Sequence, residues 1–169
     1  MKPFPKIEDV IEKLNLVPLP EEGGFYNETY RSSLIFKTAN GDRCSKTAIY
    51  YLLSPTDFSA LHRVKHDEIF HFYAGDPVAM LMIDQTGEAK QVSLGNDILS
   101  DEFPQMIVPA GVWQGCRIKS PQIGWSLLGT TVSPGFEFID FELGNRSEII
   151  KAFPHLPKEI SDEVIRLTR

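Results

Sequence analysis

Three histidines and one glutamate lie close together between positions 62 and 75 of this 169-residue chain. His62, His66, Glu68 and His71 are followed by Gly75, and their surroundings read as two short β-strands that end in a glycine turn. Imidazoles and carboxylates bind metal ions, and they also transfer protons near neutral pH. The segment therefore predicts either a metal site or an acid/base pocket inside a β-barrel.

Alternation along a strand gives each of these side chains an orientation. If His62 faces the interior of the barrel, Val64 faces it too. If Glu68 faces the interior, Phe70 and Phe72 do as well. The interior then combines a few polar groups with aromatic walls, which is the usual profile of a small-molecule site.

The rest of the chain predicts mostly short strands. Apolar residues at helical spacing favour one helix over residues 6–15, and the tail from Asn145 favours one or two more short helices, with Asn145 or Ser147 as a cap. The pair Asn40 and Gly41 indicates a hairpin turn. Many short strands separated by turns are typical of a β-sandwich or barrel. The predicted strands are 25–31, 47–53, 60–64, 68–74, 78–83, 89–94, 105–108, 113–117, 125–131 and 138–143.

The composition excludes several classes of protein. A net charge of -6 argues against a nucleic-acid partner. No apolar stretch approaches the roughly 20 residues of a membrane span, and acidic residues stand where a signal peptide would be apolar. The two cysteines are far apart, which favours reduced thiols. We expect a cytoplasmic protein with no membrane partner and a single domain over residues 1–169, whose barrel core covers about 21–144.

The spacing of seven residues resembles the two motifs of the cupin family. The first cupin motif is His-x-His, three or four residues, Glu, six residues and Gly, and the second is Pro-x-Gly, two residues and His. Valine and glutamine replace the second and third histidines in this chain. The matching residues are His62, Val64, Glu68 and Gly75, then Pro109, Gly111 and Gln114.

A longer resemblance points to a small cupin subfamily. The segment 22–32, which reads EGGFYNETYRS, is similar to a segment that its members carry near the N-terminus, and the runs 67–77, 108–114 and 134–142 are also similar. The subfamily is grouped with the dTDP-sugar 3,5-epimerases. The resemblance implies an all-β double-stranded β-helix, or jelly-roll barrel, with short terminal helices, a pocket inside the barrel and assembly as a homodimer. It does not identify a substrate.

The substitutions within the cupin motifs bear on metal binding. The complete set of ligands is three histidines and one glutamate, whereas valine cannot bind a metal and glutamine binds weakly through its amide oxygen. We therefore expect no resident cofactor. The alternative is a divalent metal held by His62, Glu68, Gln114 and His66, which requires that the turn fold His66 inward.

Proton transfer is the other chemistry that the resemblance implies. In the sugar epimerases a barrel histidine acts as base at a carbon next to a carbonyl, and His62 occupies a comparable position. Glu68 and Gln114 would orient the ligand or the histidine, although His62 could also be a buried histidine hydrogen-bonded to Glu68. Asp140, if buried near His62, would complete a histidine–aspartate dyad. The candidates for an acid partner are Tyr26, Tyr30 and Tyr73.

Two further residues are expected at the pocket. Arg31 is a candidate for pairing with an anionic ligand, and a surface ion pair is the alternative. Trp113 is expected at the mouth beside Gln114. The sequence thus predicts a small-molecule-binding protein that acts as an isomerase or epimerase on a sugar-like anionic substrate. The alternatives are a metal-dependent isomerase or dioxygenase and a non-catalytic ligand-binding module.

Overall fold

The structure is a computed structural model that describes residues 4–39 and 41–169. Two six-stranded sheets pack face to face. In spatial order the first sheet contains β1 (Val17–Pro18), β2 (Phe25–Arg31), β5 (Thr47–Leu53), β13 (Ser126–Ser133), β7 (Asp67–Gly75) and β11 (Gln105–Val108). The second contains β10 (Glu102–Phe103), β9 (Ala89–Leu94), β8 (Val78–Ile83), β12 (Trp113–Ile118), β6 (Phe58–Val64) and β14 (Phe141–Leu143).

The remaining elements are short. A separate hairpin pairs β3 (Ile35–Thr38) with β4 (Gly41–Cys44). The helices are α1 (Ile7–Lys13), α2 (Arg146–Ala152), α3 (Lys158–Arg166) and one turn of 3-10 helix, Phe138–Asp140. The predicted all-β jelly roll with a short N-terminal helix and short C-terminal helices is confirmed. The hairpin is also found, although Asn40 of its predicted turn lies outside the described residues.

The prediction of one continuous strand over 138–143 is wrong. The chain forms the 3-10 helix first, and only Phe141–Leu143 pairs with β6. The helical turn places the carboxylate of Asp140 in a buried ion pair with Arg43 from β4. This irregular segment, residues 136–141, covers one end of the barrel.

Helices cover parts of both sheets from outside. Asn145 caps α2 by accepting hydrogen bonds from the backbone N–H groups of Ser147 and Glu148 at 3.0 and 3.2 Å. Together α2 and α3 bury Ile149 and Val164 against the outer face of the second sheet. At one end of the first sheet α1 packs its apolar side onto Trp125. The helices thus close faces that would otherwise expose apolar side chains.

The interior between the sheets is filled by hydrocarbon over much of its length. Inward-facing residues from both sheets form a single buried cluster there, since alternate residues of each strand point to the same face. Its members are Tyr51, Leu53, Phe70, Phe72, Val78, Met80, Met82, Leu94, Val108, Cys116, Ile118 and Leu128.

The outer face of the first sheet is partly open. His71 and Tyr73 stack on each other there, with ring centroids 6.4 Å apart, as alternation from Glu68 predicts. At the sheet edge β1 pairs only with Phe25 and Tyr26, so within the described residues the outer edge of β2 beyond them has no strand partner. Dimerisation that uses this strand stays a prediction. Among residues 4–39 and 41–169, no helix is long and apolar enough to span a membrane.

Candidate active site

One end of the barrel interior contains a cavity of about 310 Å³ instead of packed side chains. Its walls come from β2, β5, β6, β7 and β13, from the turn before β2, and from segment 136–141. A volume of this size lies at the lower end of the range of small-molecule pockets, about 300–1,000 Å³. The cavity therefore suits a ligand the size of a single sugar ring, or one end of a larger ligand.

Two strands that follow each other in the chain bring His62 and Glu68 to this cavity from opposite sheets. His62 lies on β6 in the second sheet and Glu68 on β7 in the first, and only a short turn separates the strands. Both side chains line the cavity, with relative exposures of 2% and 7%. No hydrogen bond or ion pair joins the two side chains among the described residues. The alternative in which His62 is hydrogen-bonded to Glu68 is therefore wrong.

The imidazole of His62 is held in one orientation. Its Nδ1 lies 2.7 Å from the carbonyl oxygen of Ala60, which can only accept a hydrogen bond. The proton of the neutral ring therefore sits on Nδ1, and Nε2 keeps its lone pair. Phe141 stacks on the ring with centroids 5.1 Å apart and an interplanar angle of 28°. Nε2 has no hydrogen-bond partner in the part of the chain that the structure describes, so it can act as a base.

The carboxyl group of Glu68 is held by an amide. Nε2 of Gln114 donates a hydrogen bond of 2.6 Å to Oε2 of Glu68, and β12 brings Gln114 opposite His62 in the strand pairing. Burial raises the pKa of Glu68, and the nearby negative charge of Glu22 adds to this effect, while the charge of His62 opposes it. Glu68 thus keeps its proton to a higher pH than an exposed carboxyl group does.

Glu22 is a wall residue that the sequence did not indicate as functional. It precedes Gly23 and Gly24, whose φ angles of +101° and +72° are favourable for glycine. The turn folds the carboxylate back over the barrel, where the hydroxyl of Ser59 donates a hydrogen bond of 2.7 Å to Oε1. A carboxylate in a glycine turn looks like a surface residue in the sequence, so no pattern indicated its position.

Arg31 lies at the cavity but its donors are already used. Its Nε and Nη2 bind the carboxylate of Glu28 at 2.8 and 2.9 Å, and its Nη1 binds Glu137 at 2.7 Å. Nη2 also reaches the carbonyl oxygen of Phe136 at 3.2 Å, and Nη1 lies 3.6 Å from Sγ of Cys44. These contacts engage all five N–H groups of the guanidinium. Arg31 therefore links β2 to segment 136–141 and has no free donor for an anionic ligand.

Asp140 does not form a dyad with His62. Its buried carboxylate accepts two hydrogen bonds from Arg43, at 2.6 and 3.1 Å. Nζ of Lys65 lies 3.7 Å away and Nε2 of His66 lies 3.4 Å away. The guanidinium lowers the pKa of Asp140 and keeps it ionised. This cluster fixes segment 136–141 over the cavity.

The aromatic residues predicted for the site divide between three places. Tyr26 lines the cavity. Phe70 and Phe72 face the interior but belong to the packed cluster beyond it, so the expected ligand wall at these positions is corrected. Trp113 is also corrected, because alternation along β12 turns it to the opposite face from Gln114, where it packs against α2 and α3.

The wall residues Tyr51 and Thr130 were not predicted, although period-two alternation along β5 and β13 could have indicated them. Two of the tyrosines proposed as acid partners are far from this wall. Tyr30 and Tyr73 are half exposed, at 50% and 48%, and neither lines the cavity. Tyr26 is the member of that group that reaches the cavity.

The cavity does not fit a transition metal. Val64 presents hydrocarbon where a third nitrogen ligand would be needed, and Gln114 turns its amide nitrogen, not its oxygen, toward Glu68. His66 points to Asp140 and is not part of the cavity wall. Among residues 4–39 and 41–169, no group of three or more histidine, cysteine, aspartate or glutamate side chains is placed to hold a metal ion. The alternative ligand set is therefore not assembled.

Comparisons with solved structures extend the resemblance over the whole chain. Protein SO0799 from Shewanella oneidensis is 35% identical, with a TM-score of 0.87, and the match covers 98% of this chain and 99% of that chain. A hypothetical protein from Leishmania major is 30% identical, with a TM-score of 0.89, and the coverage is 97% and 99%. A dTDP sugar isomerase from Desulfovibrio desulfuricans G20 shares the fold at 13% identity, with a TM-score of 0.54 and coverage of 81% and 94%.

The search of curated proteins found no match. The comparison with protein families gave a match over residues 8–144, which include every wall of the cavity, to the family Cupin_5, described as Cupin superfamily (DUF985). On this evidence the chain belongs to the Cupin_5 family of the cupin superfamily.

Proposed function

We propose that this protein is a cupin isomerase or epimerase that moves a proton at a carbon next to the carbonyl group of a sugar-like small molecule. The observation that carries the proposal is the pair His62 and Glu68. Both are buried in the wall of one cavity, without touching each other, and each has a different partner that fixes it. The shared fold of a dTDP sugar isomerase is consistent with this chemistry.

The first step uses His62 as the base. Its Nε2 takes the proton from the carbon next to the carbonyl, and the electron pair of the broken C–H bond moves into an enolate. The Nδ1–H bond to Ala60 keeps the correct nitrogen free throughout. Once Glu68 has given its proton to the carbonyl oxygen, the carboxylate that remains attracts the imidazolium that has formed. One positioned base of this kind contributes about 10²–10⁴ in rate.

The second group, Glu68, serves as the acid. Because burial raises its pKa, a larger share of Glu68 is protonated near neutral pH than for an exposed glutamate. The protonated form can donate to the carbonyl oxygen, where negative charge develops as the C–H bond breaks. For isomerisation, the hydroxyl on the neighbouring carbon returns its proton to Glu68 while the imidazolium of His62 protonates the former carbonyl carbon, and both groups regain their starting states. For epimerisation, the enol first turns its other face to His62, which then returns the proton to the same carbon while Glu68 takes back the proton of the enol oxygen.

Exchange of substrate protons with solvent deuterium tests the proposal. A panel of aldoses, ketoses and keto-sugar nucleotides is incubated with the protein in D₂O, and deuterium next to the carbonyl is measured by NMR. We expect exchange with at least one member of the panel, and a loss of about 10²–10⁴ in His62→Gln. His71→Gln is the matched control, since His71 lies on the outer face of the barrel. Exchange that His62→Gln leaves unchanged contradicts the proposal.

A further inference from the structure

The charges around the cavity are strongly unbalanced. Four glutamates line it and only one guanidinium, that of Arg31. No lysine lies among the described residues of its wall. Glu68 is uncharged while it keeps its proton, and Arg31 pairs with Glu28 and Glu137 at the mouth, which leaves Glu22 as a carboxylate without a cationic partner. The field inside the cavity is therefore negative.

Glu22 is placed to receive a positive charge from a ligand. It takes part in no ion pair within the described residues, and Oε1 accepts one hydrogen bond, from Ser59. Burial is the main reason that the pKa of Tyr51 is raised, and the charge of Glu22 and a side-chain hydrogen bond with it add to the effect. The hydroxyl of Tyr51 also donates to the carbonyl oxygen of Gly23 at 2.9 Å, and a carboxylate can accept more hydrogen bonds than these two neighbours supply. The carboxylate thus keeps acceptor capacity on the side of the cavity.

The cavity is a ligand site on grounds other than its charge. The side chain of His62 is 2% exposed and lines the same space, and its Nε2 has no partner among residues 4–39 and 41–169. Because Nδ1 is held by the carbonyl oxygen of Ala60, Nε2 is the ring nitrogen left to accept a hydrogen bond from a ligand or water in the cavity. The acidic groups and the open nitrogen therefore act on the same bound molecule.

From this arrangement we propose that the cavity selects substrates that carry a positive charge, such as an amino sugar or another carbonyl compound with an amine, and that Glu22 pairs with the ammonium group. The inference deepens the proposed function, on which it rests for the reaction, but it concerns binding alone. An anion would enter against several carboxylates with no free guanidinium, so the class of anionic substrates indicated by the sequence is replaced by a cationic one.

Three sugars that share the same ring but differ in charge provide the test. Binding of D-glucosamine, D-glucose and D-glucuronate to the full chain is measured by isothermal titration calorimetry at pH 7 and low ionic strength. We expect D-glucosamine to bind roughly 10–100-fold more tightly than D-glucose, as a charge-assisted hydrogen bond would give. D-glucuronate should bind most weakly. This comparison uses the wild-type protein and needs no variant.

Glu22→Gln isolates the residue. The amide retains an acceptor for Ser59, so circular dichroism should show an unchanged fold, while the preference for D-glucosamine over D-glucose should fall about tenfold or more. Glu12→Gln is the charge-matched control, because Glu12 is exposed on α1, away from the cavity. It should leave the preference unchanged. Equal responses to the three sugars, including no response to any, would overturn the inference, as would a preference that survives in Glu22→Gln.

The outcomes for binding and for catalysis can be separated. Deuterium exchange in neutral sugars without any preference for the amine would overturn the cationic substrate class and leave the proposed function standing. Tight binding of D-glucosamine that depends on Glu22, with no exchange in any sugar, would support the cationic substrate class and contradict the proposed function.

Discussion

One end of the barrel interior is packed with side chains and the other end contains the cavity, although the same strands build both ends. Along β7 the inward residue at one end is Glu68 and those further on are Phe70 and Phe72. Along β13, Thr130 lines the cavity while Leu128 is packed. The inward orientation is set by strand alternation in both halves. Whether the space is filled depends on the size and polarity of the side chains that each half contributes.

The two ends also differ in what holds them together. At the packed end apolar side chains interdigitate, and their burial is the main stabilising contribution. At the cavity end, segment 136–141 is fixed by ion pairs, one buried between Arg43 and Asp140 and one half exposed between Arg31 and Glu137. The stability of the domain and the shape of the site are thus controlled by different interactions, and they can be altered separately.

The largest effect is expected from Phe70→Ala at the packed end. Phe70 is 2% exposed, and truncation of a buried phenylalanine lowers the free energy of unfolding by about 3–5 kcal/mol because it leaves a cavity. The matched variant at the other end is Phe141→Ala, which removes the same atoms from a half-buried ring beside existing empty space. We expect it to cost less than half as much in urea denaturation. Equal losses would contradict the division into two ends.

A somewhat smaller loss is expected for Arg43→Met, about 3 kcal/mol, because removal of one partner leaves Asp140 buried without its guanidinium. Lys65 and His66 remain nearby and limit the loss. The folded-state pKa of Asp140 is lowered, so its contribution to stability is present above its unfolded-state pKa and is lost as the pH falls through the folded value.

Arg43→Met should therefore also flatten the acid limb of the stability curve. The double variant Arg43→Met/Asp140→Leu serves as the control, since it removes both charges and should recover part of the lost stability. In Arg43→Met, hydrogen exchange should show that residues 136–141 open before the packed end does. Simultaneous exchange at both ends would contradict the separate roles of charge and hydrocarbon.

The packed end could be predicted from the sequence more fully than the cavity end. The short segments 78–83 and 89–94, bounded by turns, were predicted as strands with the observed bounds, and the inward orientation of Phe70 follows from alternation along β7. Regular strands obey local rules of period two, so a single sequence contains the information. The jelly roll could be predicted from the sequence for the same reason, and the spacing of the cupin motifs supported that prediction.

The cavity end depended on contacts between distant parts of the chain. Glu22 reaches the site through a turn, and Asp140 in the 3-10 helix is bound by Arg43, about a hundred residues earlier. Arg31 was a candidate for an anionic ligand or for a surface ion pair, and its ion-pair partner Glu137 is equally remote in sequence. No local pattern encodes such pairings between residues that are far apart in the chain.

A moderate effect that depends on pH is expected at Glu68. Burial raises its folded-state pKa, so the folded protein binds this proton more tightly than the unfolded chain does. The associated stability is present below the unfolded-state pKa and is lost as the pH rises through the folded value. Each unit of pKa difference corresponds to about 1.4 kcal/mol.

Glu68→Gln removes the ionisable group but can keep a hydrogen bond with Gln114. Relative to wild type, the variant should therefore gain stability between about pH 4, near the value for a free glutamate, and pH 7. The measurement is urea denaturation across this range. Glu88→Gln, which changes an exposed turn residue, is the control. A difference between Glu68→Gln and wild type that does not depend on pH would mean that Glu68 is ionised as easily in the folded protein as in water.

The smallest change in stability, below about 1 kcal/mol, is expected for Arg31→Met. The paired side chains of Arg31 and Glu137 are 39% and 44% exposed, and exposed ion pairs contribute little because water screens them. The same substitution leaves Glu28 and Glu137 without a positive partner at the mouth. The preference for D-glucosamine over D-glucose should therefore increase even though stability hardly changes, and faster hydrogen exchange is expected in residues 136–141 alone. A large loss of stability would show that the ion pair between Arg31 and Glu137 stabilises the whole barrel. A weaker preference for the amine would show that the charges at the mouth do not contribute to the field of the cavity.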